Sequence, residues 1–306
     1  MENNKKVLSI IVLYNPDLKV LEILLHSLIG QVSEVCIVDN TPGNIKHEVL
    51  ALFSGINLAC IYIGLLDNKG IAKAQNIGIK HAIEHGYTHV LLLDQDSALP
   101  NNMIHDLCEA ESYLLSKGVN VAAVGPAFRD EKTGKLAPAI QQDSLFVKRV
   151  QLKSGDEKPI KCDYIIASGS LIRLSVLEKV GLMLDELFID WVDIEWGERC
   201  RFYQFYTFMI PQVIMKHSIG DGHVSVPGRD VNLHSDFRNY FIVRNAVHLQ
   251  KLKTVRWNLK LSLLLKIPLY IIFFSYHSKR KFYSILLLMR GVYDGIRGNL
   301  YKGCFK

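Results

Sequence analysis

Two aspartates separated by a single residue, in the run Asp94-Gln95-Asp96-Ser97, follow directly on the apolar stretch Val90–Leu93. If the chain stays extended there, both carboxylates point the same way. They can then hold a hard divalent cation, Mg²⁺ or Mn²⁺, which prefers oxygen ligands and bridges phosphates. A second acidic cluster, Asp190-Trp191-Val192-Asp193-Ile194-Glu195-Trp196, interleaves three carboxylates with bulky apolar residues, and Arg199 and Arg201 follow it. Acids in such surroundings are costly unless they pair or work, although Asp and Glu also suit the amino end of a helix. One of them could take the proton of an attacking hydroxyl as general base. His217 follows the strand-like Phe208–Met215 and precedes Gly220-Asp221-Gly222-His223, whose glycines suit a loop that closes over a ligand. It is a candidate metal ligand or a structural histidine. Arg244 falls on the apolar stripe Phe237, Tyr240, Phe241 and Val247 of a helical run, Phe237–Leu249, while Arg238 and Asn245 share another face. An arginine so placed needs a partner, either a substrate phosphate or a buried structural pair.

These residues need elements to position them, and the first half of the chain supplies an alternation. Val7–Leu13, Val35–Val38, Leu58–Ile63 and Val90–Leu93 read as strands, with helical spacing in Leu18–Ile29 and Ile71–His85. A βαβα rhythm predicts a mainly parallel sheet covered by helices, with ligands outside the carboxyl ends of its strands. Those ends are all polar: Tyr14-Asn15-Pro16, Asp39-Asn40, Asp67-Asn68-Lys69-Gly70 and Asp94-Gln95-Asp96-Ser97. There is no Gly-x-Gly-x-x-Gly after the first strand and no Gly-x-x-x-x-Gly-Lys-Ser/Thr, which argues against a dinucleotide fold or a P-loop.

The chain has 306 residues, 49% apolar and 22% charged, which fits a folded protein. The opening residues carry no secretory pattern, and the six scattered cysteines include no Cys-x-x-Cys pair, so a reducing cytoplasm is the expected compartment. Charge is unevenly spread. From Lys251 to Lys306 there are twelve Lys or Arg and one acid, Asp294, so this stretch carries +11 of a net +6 and the preceding residues carry −5. Such a basic appendage is expected to meet phosphates. Its most apolar part, Leu261–Tyr276, is interrupted by Lys266 and Pro268 and at sixteen residues is shorter than the ~20 needed to span a bilayer. A helix lying in the interface on anionic headgroups is the expectation. The alternative is a core or oligomer-contact helix.

Taken together, the motifs resemble the family 2 glycosyltransferases, inverting enzymes of the GT-A fold, and within them the bacterial rhamnosyltransferases of surface polysaccharides. The resemblance rests on Tyr14-Asn15, Val38-Asp39-Asn40, Asn68-Lys69-Gly70-Ile71-Ala72 with Gln75-Asn76 and Gly78, Leu93-Asp94-Gln95-Asp96-Ser97, Ser168-Gly169-Ser170, Phe188–Trp196 and Tyr240–Asn245. It covers Val7 to about Leu249 and implies a GT-A domain over 1–250 with a helical, basic, membrane-associating extension over 251–306. The resemblance further implies that Tyr14, Asn15 and Asp39 hold the nucleoside, that Asn68, Gly70 and Asn76 shape its pocket, and that Asp94, Gln95 and Asp96 meet the ribose-phosphate side. Asp94, Asp96 and His217 would hold the Mg²⁺ or Mn²⁺. Asp193 would be the base, and Asp190, Trp191, Glu195, Arg244 and Asn245 would meet the acceptor. The family's usual acid before the base is Val192 here, so Asp190 or Glu195 could replace Asp193.

The implied reaction is a single inverting displacement, giving an α-L-rhamnoside from dTDP-β-L-rhamnose on a lipid-linked O-antigen-like acceptor at the cytoplasmic face of the inner membrane. A nucleotidyltransferase is the nearest alternative enzyme, but it has no use for Asp193 as a base toward a sugar hydroxyl. A nucleic-acid partner for the basic stretch is disfavoured, because its cations alternate with aliphatic runs rather than stacking aromatics.

Overall fold

The computed structural model describes residues 5–130, 134–142, 147–152, 155–217, 223–226, 229–232 and 234–305. In chain order the strands are β1 (Val7–Leu13), β2 (Glu34–Asp39), β3 (Ala59–Gly64), β4 (His89–Asp94), β5 (Val121–Asp130), β6 (Ala139–Gln141), β7 (Lys148–Val150), β8 (Ile160–Cys162), β9 (Ser170–Arg173), β10 (Tyr206–His217), β11 (His223–Val226) and β12 (Arg229–Asn232). The α-helices are α1 (Leu18–Leu28), α2 (Lys46–Ala51), α3 (Ile71–Glu84), α4 (Met103–Ser116), α5 (Leu174–Val180), α6 (Val192–Phe202), α7 (Asp236–His248), α8 (Trp257–His277) and α9 (Lys281–Arg297).

Eight strands form one sheet in the order β3-β2-β1-β4-β9-β5-β10-β8. The four at the start of that order are parallel, as the βαβα rhythm predicts, and β5 pairs parallel with β10. Strand β9 runs antiparallel between β4 and β5. Alternation along β1 explains the two-sided core. Ile11 and Leu13 face a layer that includes Leu21, Leu24 and Leu25 of α1 and Leu107 of α4. Leu8, Ile10 and Val12 face Ala72 and Ile79 of α3, Val176 of α5 and Trp196 of α6.

Register sets where the polar strand ends fall. Leu13 pairs with Asp39, Asp39 with Gly64, and Val12 with Asp94. The ends of β2 and β4 therefore lie level on either side of β1, and Asp39 and Asp94 stand at one edge of the sheet.

The basic extension packs onto the rest of the chain. Val243 and Val247 of α7 share a core with Leu259 and Leu263 of α8 and Leu288 of α9. At the start of α8, the Arg256 guanidinium donates to the buried Glu198 carboxylate and lies 2.8 Å from Asp163. The sixteen-residue expectation for the apolar run is corrected. Helix α8 has 21 residues, because Trp257–Lys260 adds a turn at its amino end and Pro268 does not stop it. By length and composition it could cross a bilayer, yet a third of its most apolar window is packed inside the protein.

Candidate active site

The β1 and β4 ends are tied to each other. The Tyr14 N–H donates to Gln95 Oε1 at 2.7 Å and Gln95 Nε2 donates back to the Tyr14 carbonyl at 3.2 Å. Gln95, expected at the donor, thus spends its amide holding Tyr14, whose ring is exposed. Asn15 takes a left-handed conformation and its N–H donates to Thr41 Oγ1 at 2.9 Å. Asp39 is buried; its Oδ1 accepts from the Thr41 N–H at 3.0 Å and its Oδ2 from the Tyr62 hydroxyl. Burial, first, and the Asp39 hydrogen bond raise the Tyr62 phenol well above its ordinary value. Each Asp39 oxygen still has a lone pair for a further donor.

The β3 loop is braced by side-chain amides. Asn40 donates to Asn68 Oδ1 at 3.0 Å and accepts from the Lys69 N–H at 2.7 Å, while the Gly70 N–H also donates to Asn68. Gly70 has φ +87°, and a Cβ there would stand 2.6 Å from the Phe188 carbonyl oxygen, so this close approach admits only glycine. The Ile71 N–H donates to that carbonyl at 2.7 Å. Asn76, expected to shape the pocket, is buried and donates to the Met183 carbonyl and to Asp185. It acts on the pocket by anchoring the segment ahead of α6.

That segment carries the second acidic cluster, and its backbone is unusual. Phe188, Asp190 and Trp191 all have positive φ, from 62° to 66°. Three non-glycine residues in that region cost energy and persist only where surroundings impose them. Here the imposing groups are Asn245, which donates to the carbonyls of Leu187, Ile189 and Asp190, and Arg244, which donates to those of Glu186, Leu187 and Tyr301. Both side chains are wholly buried. This corrects their expected place at the acceptor: neither reaches a ligand, and both hold the shape of the segment that carries the acids. Burial, first, lowers the Arg244 pKa to about 10.

The three acids separate by partner. Asp190 is gripped by Arg238, whose Nε stands 3.0 Å from its Oδ1. Glu195, expected at the acceptor, is instead buried in a two-pronged pair with Arg199, at 3.0 and 2.8 Å. Trp191 is half-buried and donates its indole N–H to the Ile242 carbonyl at 3.0 Å. Among the described residues, Asp193 in the first turn of α6 makes no ion pair; its Oδ1 accepts from the Ile194 N–H at 3.0 Å. Burial raises its carboxyl to about 6, backbone N–H groups partly oppose this, and the charges of Asp94 and Asp190 add to it. Asp94 and Asp193, 99 residues apart in sequence, therefore act on one volume.

Asp94 is half-buried at the end of β4 and Asp96 is exposed in the turn that follows. Ser97 and Ser168 meet through their hydroxyls beneath that turn. Ala98 bridges to Lys216, so the backbone of β10 runs beside the turn as it reaches His217. The His217 side chain and Gly220-Asp221-Gly222 lie outside the described residues. Among those described, no three His, Cys, Asp or Glu side chains are grouped to hold a metal. The chain turns after Asp94, closed by the Ser97 N–H on the Asp94 carbonyl at 3.2 Å, rather than staying extended as expected; carboxylates remain the donor type that Mg²⁺ or Mn²⁺ takes beside phosphate oxygens and water.

Sequence reasoning missed Asn40, Tyr62, Arg238 in its pairing with Asp190, and the role of Ser168. Asn40 was legible as the residue after Asp39; Tyr62 was not, since its hydroxyl reaches the neighbouring strand.

Comparison with known proteins agrees with this geometry. The profile of "Glycosyl transferase family 2" matches residues 9–181. A dTDP-rhamnosyl transferase, RfbF, of Shigella flexneri is 37% identical over 245 residues, which are 79% of either chain. Among solved structures, S. aureus TarS 1-349 in complex with UDP-GlcNAc is similar with a TM-score of 0.59 and 14% identity, over 95% of this chain and 81% of that one. The mannosyltransferase PcManGT from Pyrobaculum calidifontis, in complex with GDP-Man and Mn²⁺, gives 0.54 and 14%, over 96% and 76%. GalNAc-T7 with UDP, GalNAc and Mn²⁺ gives 0.58 and 15% over 86% of this chain, which spans only 54% of that longer one. With its GT-A sheet and a profile match over more than half its length, this chain belongs to glycosyl transferase family 2 and is a glycosyltransferase.

Proposed function

We propose that the protein transfers L-rhamnose, with inversion, from dTDP-β-L-rhamnose to a hydroxyl of a lipid-linked glycan in the synthesis of an O-antigen-like surface polysaccharide. The observation that carries this reading is Asp193: a carboxylate raised to about 6, in electrostatic contact with Asp94 at the sheet edge where a donor belongs. The choice of dTDP-rhamnose is supported by the S. flexneri relative.

Tyr14, Asn15 and Asp39 hold the nucleoside, on a floor shaped by Asn40, Asn68 and Gly70. Asp94 and Asp96 would hold Mg²⁺ or Mn²⁺, with His217 as the candidate third ligand. Two neighbours of the same fold were solved with Mn²⁺. When bound, the cation neutralises charge that develops on the leaving diphosphate. Asp193 accepts the proton of the acceptor hydroxyl as that oxygen attacks the anomeric carbon from the opposite face. A base with a pKa near 6 is ionised at neutral pH and still basic enough to work, which is worth ~10²–10⁴ in rate. Trp191 and Asp190 border the acceptor side.

Residues 1–250 form the catalytic domain and 251–306 a basic helical extension that rests on the cytoplasmic face of the inner membrane. Helices α8 and α9 leave Trp257, Leu265, Leu269, Ile272, Phe282 and Leu286 exposed. Lys260, Lys279, Arg280 and Lys281 supply charge for anionic headgroups.

The test is nucleoside diphosphate release from a panel of sugar nucleotides, with a membrane lipid extract as acceptor and Mn²⁺, Mg²⁺ or EDTA added. Release of dTDP from dTDP-rhamnose alone, abolished by EDTA and by Asp96→Ala, is expected. Release only from a different sugar nucleotide would remove rhamnose, and no release from any would remove the transferase mechanism.

A further inference from the structure

Beyond the donor loop lies a cavity of about 1000 Å³ that the mechanism does not use. One wall is the β3 loop and the first turn of α3, another is Phe188, and the third is Arg290 of α9 with residues 299–304. Among the described residues four cations line it: Lys69, Lys73, Arg290 and Lys302. Against them stand two acids, Asp67 and Asp185, so the lining carries +2. Asp67 takes Lys69 and Lys302, Asp185 takes Lys73, and Arg290 reaches back to the buried Asp294. The side chains of all four cations are one-third to one-half exposed. The Asp67 and Asp185 pairs, partly exposed on both sides, contribute little to stability and are readily exchanged for an entering anion, whereas Arg290 stays held on the wholly buried Asp294.

The cavity also adjoins an apolar surface. Leu286 and Tyr293 lie one turn to either side of Arg290 on α9, and both are exposed. A cationic cavity that opens onto an apolar helix face is complementary to an amphiphile whose head is a diphosphate. Phe188, in the cavity wall, precedes Asp193 by five residues, which limits their backbone separation to ~18 Å.

We propose that this cavity binds the diphosphate of the lipid-linked acceptor, with the lipid along α9 and the glycan directed past Phe188 to Asp193. The inference rests on the lipid-linked acceptor proposed above.

It is tested by calorimetric titration of the full chain with farnesyl diphosphate, inorganic pyrophosphate and dTDP. The wild type is expected to bind farnesyl diphosphate more tightly than pyrophosphate. The double variant Arg290→Ala/Lys302→Ala is expected to lose at least tenfold in farnesyl diphosphate affinity and keep its dTDP affinity. Lys73→Ala, on a separate element, should show the same pattern. Unchanged farnesyl diphosphate binding in the variants would overturn the proposal. A parallel loss of dTDP binding would do so too, by making the cavity part of the donor site, and so would equal affinity for pyrophosphate, by assigning it to free diphosphate. Intact farnesyl diphosphate binding without turnover of dTDP-rhamnose would support the cavity and strike only the donor reading.

Discussion

At the scale of single residues, function depends on which of three clustered acids is left to react. Asp190 is held by Arg238 and Glu195 by Arg199, whereas Asp193 is half-buried and raised to about 6. Asp193→Asn should lower kcat by ~10²–10⁴ while leaving dTDP affinity unchanged, as read by steady-state kinetics beside calorimetry. The wild-type rate should climb as pH rises through about 6, a limb that the variant lacks. The stability consequence has the opposite sign. An acid raised in the folded state from 3.8 to about 6 costs stability as pH rises across that window, so Asp193→Asn should be more stable than wild type at pH 7. An increase of about 3 kcal/mol in chemical denaturation is expected. The acidic cluster was legible in the sequence, and the family resemblance singled out Asp193 within it as the proposed base. Its freedom was not legible, because one competing acid is paired four residues along a helix and the other with an arginine 48 residues away.

At the scale of elements, one strained segment connects the β3 loop to the proposed base, Asp193. Phe188, Asp190 and Trp191 keep positive φ because Arg244 and Asn245 of α7 collect the carbonyls around them and Gly70 packs against Phe188. Asn245→Ala takes this donor from the half-buried carbonyls of Ile189 and Asp190, while Leu187 keeps Arg244, and should cost about 2–4 kcal/mol of stability in denaturant titrations. In the fraction that folds, kcat should fall more than donor affinity, since α6 follows directly on this segment. Gly70→Ala should impair both, because its Cβ meets the Phe188 backbone on one side and its φ is disfavoured on the other. Strands β1 to β4 and helices α1, α3 and α7 were legible to within a residue or two, since their apolar periods are strong; the parallel strand β5 was not read. Strand β9 was not, since four residues after Ser168-Gly169 carry no direction of their own. Arg244 was read as needing a partner, and its partners are backbone carbonyls, which leave no mark in a sequence.

At the scale of the whole molecule, chemistry and stability sit at opposite edges of the sheet. At the edge away from Asp39 and Asp94, His89 opens β4 and meets buried Glu111, which also takes Lys5 and Arg173. Burial opposes ionisation of Glu111, but those hydrogen bonds and charges prevail and hold it at about 2, against an ordinary 4.5. Its stabilisation is complete above pH 4.5 and is lost as pH falls toward 2. Glu111→Gln should cost about 3 kcal/mol at neutral pH, measured by denaturant titration, with kcat unchanged. On the outer side, the exposed apolar rows of α8 and α9 and their basic flanks predict binding to phosphatidylglycerol vesicles that weakens with salt, and little binding to neutral vesicles. The charge asymmetry announced this surface in the sequence, while the packing of α8 and α9 against α7 depends on which faces meet and appeared only in the fold. The most direct test of the account as a whole is the product itself. Nuclear magnetic resonance of a reaction with dTDP-β-L-rhamnose and lipid-linked acceptor should show one α-L-rhamnoside formed for each dTDP released. A β-linked product, or pyrophosphate in place of dTDP, would contradict inversion by Asp193 and with it the mechanism.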